Sequence, residues 1–140
     1  MILIDTNVIM YAAGAGHPHK GPSVALLERV ADGELEATID AEVLQEILHR
    51  YRAIGRWEEG RQVYDLTRRL FPNVAPVTAD VVDRARRLLD TDRHIMARDA
   101  LHAAVALSGG FEAVCSYDRD FDRIAGLVRR EPAEVMKPGR

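Results

Sequence analysis

The sequence predicts an α/β domain: a three-layer α/β/α sandwich on a central, mostly parallel sheet of four to five strands. Short apolar runs alternate with helical patterns, which implies parallel strands joined by right-handed crossovers. The first run, Ile2-Leu3-Ile4, is apolar throughout and stops at Asp5, as a strand buried on both faces does. The 140 residues, 47% hydrophobic and 29% charged, suffice for one well-formed core.

Each element has a local reason. Thr6-Asn7 turns the chain into a short helix, Val8 to Ala13, and Gly14 to Pro22 reads as a loop by its Gly and Pro content. Ser23 suits the N-cap of a helix with apolar residues at 24, 26, 27, 30 and 31, ended by Gly33. Leu35 to Ile39 alternates as a second strand. Asp40 then caps a long helix with Val43, Leu44, Ile47, Leu48 and Tyr51 on one side, until Gly55. Arg56 to Phe71 reads as a further helix, broken by Pro72-Asn73. Val74 to Val77 is a brief third strand in which Pro76 points to an edge or a terminus. Thr78 caps a helix carrying Val81, Val82, Ala85, Leu88 and Leu89. The next helix, Ala97 to Leu107, has alanines that permit close packing and is stopped by Gly109-Gly110. Ala113 to Ser116 is a fourth strand ending near Asp118, Leu127-Val128 adds a fifth, and Pro132 onward reads as a loose tail. With no internal repeat or linker, the expectation is one domain over residues 1–131 and a tail over 132–140.

Composition removes several function classes. No apolar run approaches the roughly 18–20 residues of a spanning helix, and the N-terminus lacks a basic region before a long apolar stretch, so a cytoplasmic protein without membrane contact is expected. A single cysteine, Cys115, excludes an internal disulfide and Cys₄ or Cys₂His₂ zinc sites, and its strand position suits a small apolar residue. The 19 Lys+Arg against 22 Asp+Glu, net −3, argue against a simple basic nucleic-acid coat. Nucleotide-binding P-loops, esterase elbows and dinucleotide-binding turns have no matching motif.

The acids are more informative. In open α/β sheets, ligands bind beyond the carboxyl ends of the strands. Asp5 and Asp118 each follow an apolar strand, with Asp120 and Asp122 close behind the second. Glu46, in the second turn of its helix, and Asp99, in the first turn of another, lie near the same edge. Glu42 shares the Glu46 face but belongs with the N-terminal turn. Each acid alone has an ordinary structural explanation: a cap, a helix-dipole partner, an exposed helix residue or an acidic turn. Converged, they demand relief, because two carboxylates 4 Å apart at an effective dielectric near 20 repel by roughly 4 kcal/mol. Protonation or a cation must supply it, and hard oxygen ligands favour Mg²⁺ or Mn²⁺ over zinc. His17 and His19 read as loop residues, and His102, one turn after Asp99, as packing on the sheet or partnering a backbone carbonyl. Arg50, Arg52, Arg98, Arg119 and Arg123 could meet a phosphate, although each alone reads as a solvated or ion-paired side chain.

Ile2-Leu3-Ile4-Asp5-Thr6-Asn7, Leu44-Gln45-Glu46-Ile47-Leu48, Asp99-Ala100-Leu101-His102-Ala103-Ala104 and Ser116-Tyr117-Asp118-Arg119-Asp120-Phe121-Asp122 follow one another in an order and spacing that resemble the PIN-domain ribonucleases, in particular VapC-type toxins of VapBC toxin–antitoxin systems. The resemblance runs from residue 2 to about 128. It implies an endoribonuclease that hydrolyses RNA phosphodiester bonds with metal-activated water. Asp5, Glu46, Asp99 and Asp118 would be the catalytic and Mg²⁺- or Mn²⁺-binding acids, and Asp120 an additional or alternative ligand; Asp118 is favoured as nearer the strand. Thr6 or Asn7 and Ser116, where the family often has Thr, would position the acids. The resemblance also implies a small antitoxin partner and a homodimer. Two divalent ions would turn the −3 into +1. The alternatives are a catalytically silent RNA- or protein-binding module of the same fold and an aspartate-based phosphatase. The second is disfavoured because Asn7 stands where that chemistry usually wants another Asp.

Overall fold

The computed structural model describes residues 1–137. Four strands, β1 (Ile2–Ile4), β2 (Ala37–Thr38), β3 (Ala113–Cys115) and β4 (Arg129–Arg130), form one sheet in the order β2-β1-β3-β4 with every pairing parallel. Seven helices surround it among the described residues: α1 (Thr6–Ala13), α2 (Lys20–Ala31), α3 (Ala41–Ala53), α4 (Trp57–Leu70), α5 (Ala79–Leu89), α6 (Ala97–Gly109) and α7 (Pro132–Val135).

The pleat sends alternate side chains to opposite faces. Ile2 and Ile4 of β1 and Ala113 and Cys115 of β3 meet Val8, Leu26, Val43, Ile47 and Phe71 in one core. Leu3 and Val114 meet Ala85, Ala100, Ala103, Ala104 and Phe121 in a second. Helices therefore cover both faces, the sandwich expected from the uninterrupted apolar strands. Three alanines of α6 are fully buried, and their small side chains seat that helix close on the sheet.

Asp40 and Thr78 cap α3 and α5 as expected, accepting from Val43 N at 3.1 Å and Val81 N at 3.2 Å. Four local expectations change. Helix α2 begins at Lys20, because Gly21 and Pro22 occupy its first turn, where a missing N–H breaks no intrahelical bond. Ser23 is thus no N-cap; its hydroxyl donates to His19 O at 2.7 Å. The strand expected at Val74–Val77 is a single parallel bridge from Ala75 to Asp40, and Pro76, lacking an N–H, cannot extend the ladder. The last strand lies at Arg129–Arg130 rather than Leu127-Val128. The Arg129 guanidinium is held by Asp122, Glu131 and the Ser116 carbonyl, so a charged pair can sit at the sheet edge. Finally, the expected loose tail forms α7 as far as it is described, with Val135 and Met136 packed on the first core; the remainder, 138–140, lies outside the described residues.

Helices α3 and α4 approach closely at Gly60, where a Cβ would overlap the Tyr51 side chain, 2.8 Å from its Cγ. Tyr51 is 5% exposed and cannot swing away. Gly60→Ala is expected to lower the unfolding free energy by about 1–3 kcal/mol, read as a lower urea midpoint; an unchanged midpoint would show that the helices part freely.

Candidate active site

The parallel register sets the first contact. Ile4 pairs with Cys115, so the residues that follow, Asp5 and Ser116, leave the sheet side by side. Asp5 is 6% exposed and both of its oxygens are occupied: Oδ1 accepts from Thr6 N at 2.7 Å and Oδ2 from Ser116 Oγ at 2.6 Å. The Ser116 hydroxyl in turn accepts from Asn7 Nδ2 and from the backbone N–H of Asp118, both at 3.0 Å. One buried oxygen thereby ties together the ends of β1 and β3. Asp118 turns outward and accepts from Asp120 N at 2.9 Å, starting a short 3-10 helix, Arg119–Arg123, seated on the buried ring of Phe121.

Two helices bring the other acids. Glu46 projects from α3 and Asp99 from the first turn of α6, and both line a cavity of about 610 Å³ with Asp5, Thr6, Asn7 and Asp118. All four principal acids expected from the sequence thus share one cavity. Oxygens of Asp99, Asp118 and Asp120 come within 4.8 Å of one another. Asp120 completes this trio from the rim, whereas Glu42 is not among the cavity-lining residues.

His102 is the feature that sequence reasoning misjudged. Rather than a backbone carbonyl, it meets three carboxylates: Nδ1 lies 2.6 Å from Asp40 Oδ2, and Nε2 lies 3.0 Å from Glu46 Oε1 and 3.4 Å from Asp5 Oδ1. Asp40, read as a helix cap, is therefore also the back of the site. Its spacing offered one signal: His102 follows Asp99 by three residues and so shares its helix face.

The acids fall into two electrostatic settings. Burial alone would lower the His102 pKa, but the bonds to Asp40 and Glu46 and the charge of Asp5 hold it well above the usual histidine value, so an imidazolium bridges the carboxylates. Burial, the largest single effect, raises Glu46, but the bond to His102 and its charge, together with Thr6 and Arg98, outweigh it and keep Glu46 below the ordinary range. Burial pushes Asp5 upward against the opposing effects of His102 and Ser116. Asp99 has no such donor: burial, then the charges of Asp118 and Asp5, push it to about 7. Burial lifts the Cys115 thiol to about 12, which makes it the inert apolar residue expected.

A hard divalent cation fits this chemistry. The trio is all-carboxylate, oxygens within 4.8 Å compare with the roughly 4.2 Å that spans an octahedral Mg²⁺ shell, and burial, then the charges of Asp118 and Asp5, push Asp99 up to about 7. The Thr6 hydroxyl, beside the same cavity, also helps to hold the Glu46 carboxylate in its charged form.

Acids gathered beyond the carboxyl ends of a parallel sheet define an α/β domain with a candidate metal site, and comparison identifies its family. The family model described as PIN domain matches residues 2–127, and the chain belongs to that family. Within it the chain is a VapC-type member. Ribonuclease VapC13 of Mycobacterium tuberculosis is 42% identical over 129 residues, covering 92% of this chain and 98% of the relative. Ribonuclease VapC7 of the same organism is 36% identical, covering 94% and 92%. The crystal structure of VapBC2 from Rickettsia felis, bound to a DNA fragment from their promoter, shares the fold with a TM-score of 0.74 at 20% identity, covering 94% of this chain and 98% of that one.

Two measurements check the electrostatics. A folded-state pKa near 7 against the ordinary 3.8 means that the native chain holds a proton the unfolded chain has released. The contribution of Asp99 to the stability of the metal-free protein should therefore fall as pH rises from about 4 to 7. Asp99→Asn removes that fall, so its urea-derived stability gain in chelator is expected to be about 1–4 kcal/mol larger at pH 8 than at pH 4; equal gains would refute the raised pKa. His102→Leu leaves Asp40, Glu46 and Asp5 without their cation and is expected to cost about 3–5 kcal/mol at pH 7. A loss below about 1 kcal/mol would mean that the bridge carries no charge.

Proposed function

We propose that the chain is a Mg²⁺- or Mn²⁺-dependent endoribonuclease that acts as the toxin of a toxin–antitoxin pair by hydrolysing RNA phosphodiester bonds. The observation that carries this reading is the convergence of Asp5, Glu46, Asp99 and Asp118 on one cavity in a chain 42% identical to a VapC ribonuclease. In this reading Asp99, Asp118 and Asp5 hold the cation, Asp120 contributes from the rim and Glu46 closes the set from α3. A divalent ion, when bound, supplies positive charge that polarises the phosphoryl group and acidifies water.

The chain's own side chains do the rest. Ser116 and Thr6 N hold both Asp5 oxygens, fixing the carboxylate that faces the substrate phosphate. Asn7 holds Ser116. Asp99, pushed up to about 7, would give up its proton to a cation bound there. Arg50 and Arg98 line the same cavity and suit the RNA backbone. The silent-module reading is opposed by the complete set of acids, and the phosphatase reading by Asn7, whose amide is committed to Ser116.

A small antitoxin is the expected partner, since the similar structure from Rickettsia felis is VapBC2 bound to a DNA fragment from their promoter, and two copies of this chain are expected to pair. No helix among the described residues is long and apolar enough to cross a membrane, and the expected setting is the cytoplasm.

Asp5→Asn and Asp99→Asn are each expected to lower RNA cleavage at least about 100-fold while the protein stays folded, on the scale of losing one group that acts with others as a unit. Chelation should abolish cleavage by the unsubstituted chain, and Mg²⁺ or Mn²⁺ should restore it. Cleavage by Asp99→Asn at the unsubstituted rate would sink the assignment.

A further inference from the structure

Four aromatic rings gather beside the acidic cavity. Tyr11, in the last turn of α1, lines the cavity with Asp5 and Asp118. Its ring centroid lies 4.6 Å from His17, 4.9 Å from His19 and 5.3 Å from Tyr117. His19 and Tyr117 lie flat on each other, 3.8 Å apart and 11° from parallel, and Tyr11 meets both edge-on. Tyr117 directly precedes Asp118, so the rings are joined to the site by one peptide bond. None of the four is fully buried, and His17 is exposed.

The loop that carries the histidines is tied from within. Lys20 Nζ donates to the Gly14 carbonyl, and His19 N donates to His17 Nδ1 at 3.0 Å. The His19 carbonyl accepts from Ser23 Oγ at 2.7 Å and from the Tyr117 hydroxyl at 3.1 Å. The cluster is thus preorganised yet open on the His17 side. A flat apolar ligand meeting fixed rings loses little entropy on their account. Among the described residues, Arg50 and Arg98 of the same cavity form no ion pair and remain available to a polyanion.

Rings that are fixed, partly exposed and adjacent to a site for a phosphodiester suit a nucleobase, because every base has a face that stacks on aromatic side chains. We propose that Tyr11, His17, His19 and Tyr117 form a stacking subsite for one unpaired nucleobase of single-stranded RNA, next to the phosphodiester held at the acids. The proposal rests on the ribonuclease reading above and adds the path of the strand to it: base on the rings, sugar–phosphate along Arg50 and Arg98. Bases inside a duplex are already stacked and paired, so the subsite selects unpaired segments.

Binding is measured with the full-length Asp99→Asn protein in chelator, so that cleavage does not intervene. The probes are a fluorescein-labelled oligoadenylate decamer and an abasic decamer of the same length. The Asp99→Asn parent is expected to prefer oligoadenylate by about 5- to 150-fold, the range that stacking of one base supplies. Adding His17→Ala or Tyr11→Leu should pull the oligoadenylate affinity toward the abasic value and leave the abasic affinity unchanged. His17 is exposed, so its truncation serves as the variant that folds normally. A parent that binds both decamers equally, or variants that keep its preference, would overturn the subsite and leave the ribonuclease reading standing. A parent that binds neither decamer would also overturn the subsite, while the ribonuclease reading is tested separately by cleavage with Mg²⁺ or Mn²⁺ present. Loss of a co-purifying protein from His17→Ala, with RNA affinity unchanged, would overturn the subsite by assigning the rings to a protein interface.

Discussion

Repulsion between carboxylates at one end of the sheet is the constraint around which this molecule is arranged. Asp40 is 0%, Asp5 6% and Asp99 7% exposed, and Glu46 and Asp118 open into the same space. Each close pair repels by roughly 4 kcal/mol at an effective dielectric near 20, against a net stability of about 5–15 kcal/mol for a domain. Two internal devices oppose it: the His102 imidazolium wedged between Asp40, Glu46 and Asp5, and the proton retained by Asp99. Acid and counter-charge sit one turn apart on α6, so the helix that brings Asp99 into the site also brings the cation that makes its neighbours tolerable.

That arrangement depends on how closely α6 lies on the sheet. Ala100, Ala103 and Ala104 are fully buried. Larger side chains there would lift the helix and draw His102 away from Asp40 and Glu46, turning a steric change into an electrostatic one. On the sheet itself, the pairing of Ile4 with Cys115 sets Asp5 against Ser116. A one-residue slip of β1 against β3 would break that bond and reverse which side chains enter each core. Packing and site geometry are therefore specified by the same few contacts.

The layers, the first strand, the caps of α3 and α5 and the four converging acids were legible because each leaves a local signal: an apolar run that stops at an acid, or a polar residue before a helical pattern. What the sequence concealed is non-local. Asp40 carries an evident capping signal, but its second oxygen meets His102, 62 positions away, and no spacing rule announces that bond. Arg129 and Arg130 do not resemble a strand, because what permits Arg129 there is its contacts with Asp122, Glu131 and the Ser116 carbonyl. Gly21 and Pro22 resemble a loop until the first turn of a helix makes their missing or mobile backbone groups harmless.

The two halves of the site are not equivalent, which bears on how an acidic chain can act on RNA. Around Asp5 and Glu46, every close approach of negative charge is answered by a donor: Thr6 N, Ser116 Oγ or His102. Around Asp99, Asp118 and Asp120, carboxylates face one another, and the proton on Asp99 is what relieves them. A cation is therefore demanded most strongly by the second half, and its binding would release that proton, so affinity should strengthen as pH rises through about 7. The formal −3 counts His102 as neutral and Asp99 as ionised. With both protonated, the metal-free chain carries −1, and a single divalent ion that displaces only the Asp99 proton brings it to neutrality. The polyanion is met by the charge at the cavity rather than by the charge of the whole chain, and there the ion, His102, Arg50 and Arg98 outweigh what the net figure suggests.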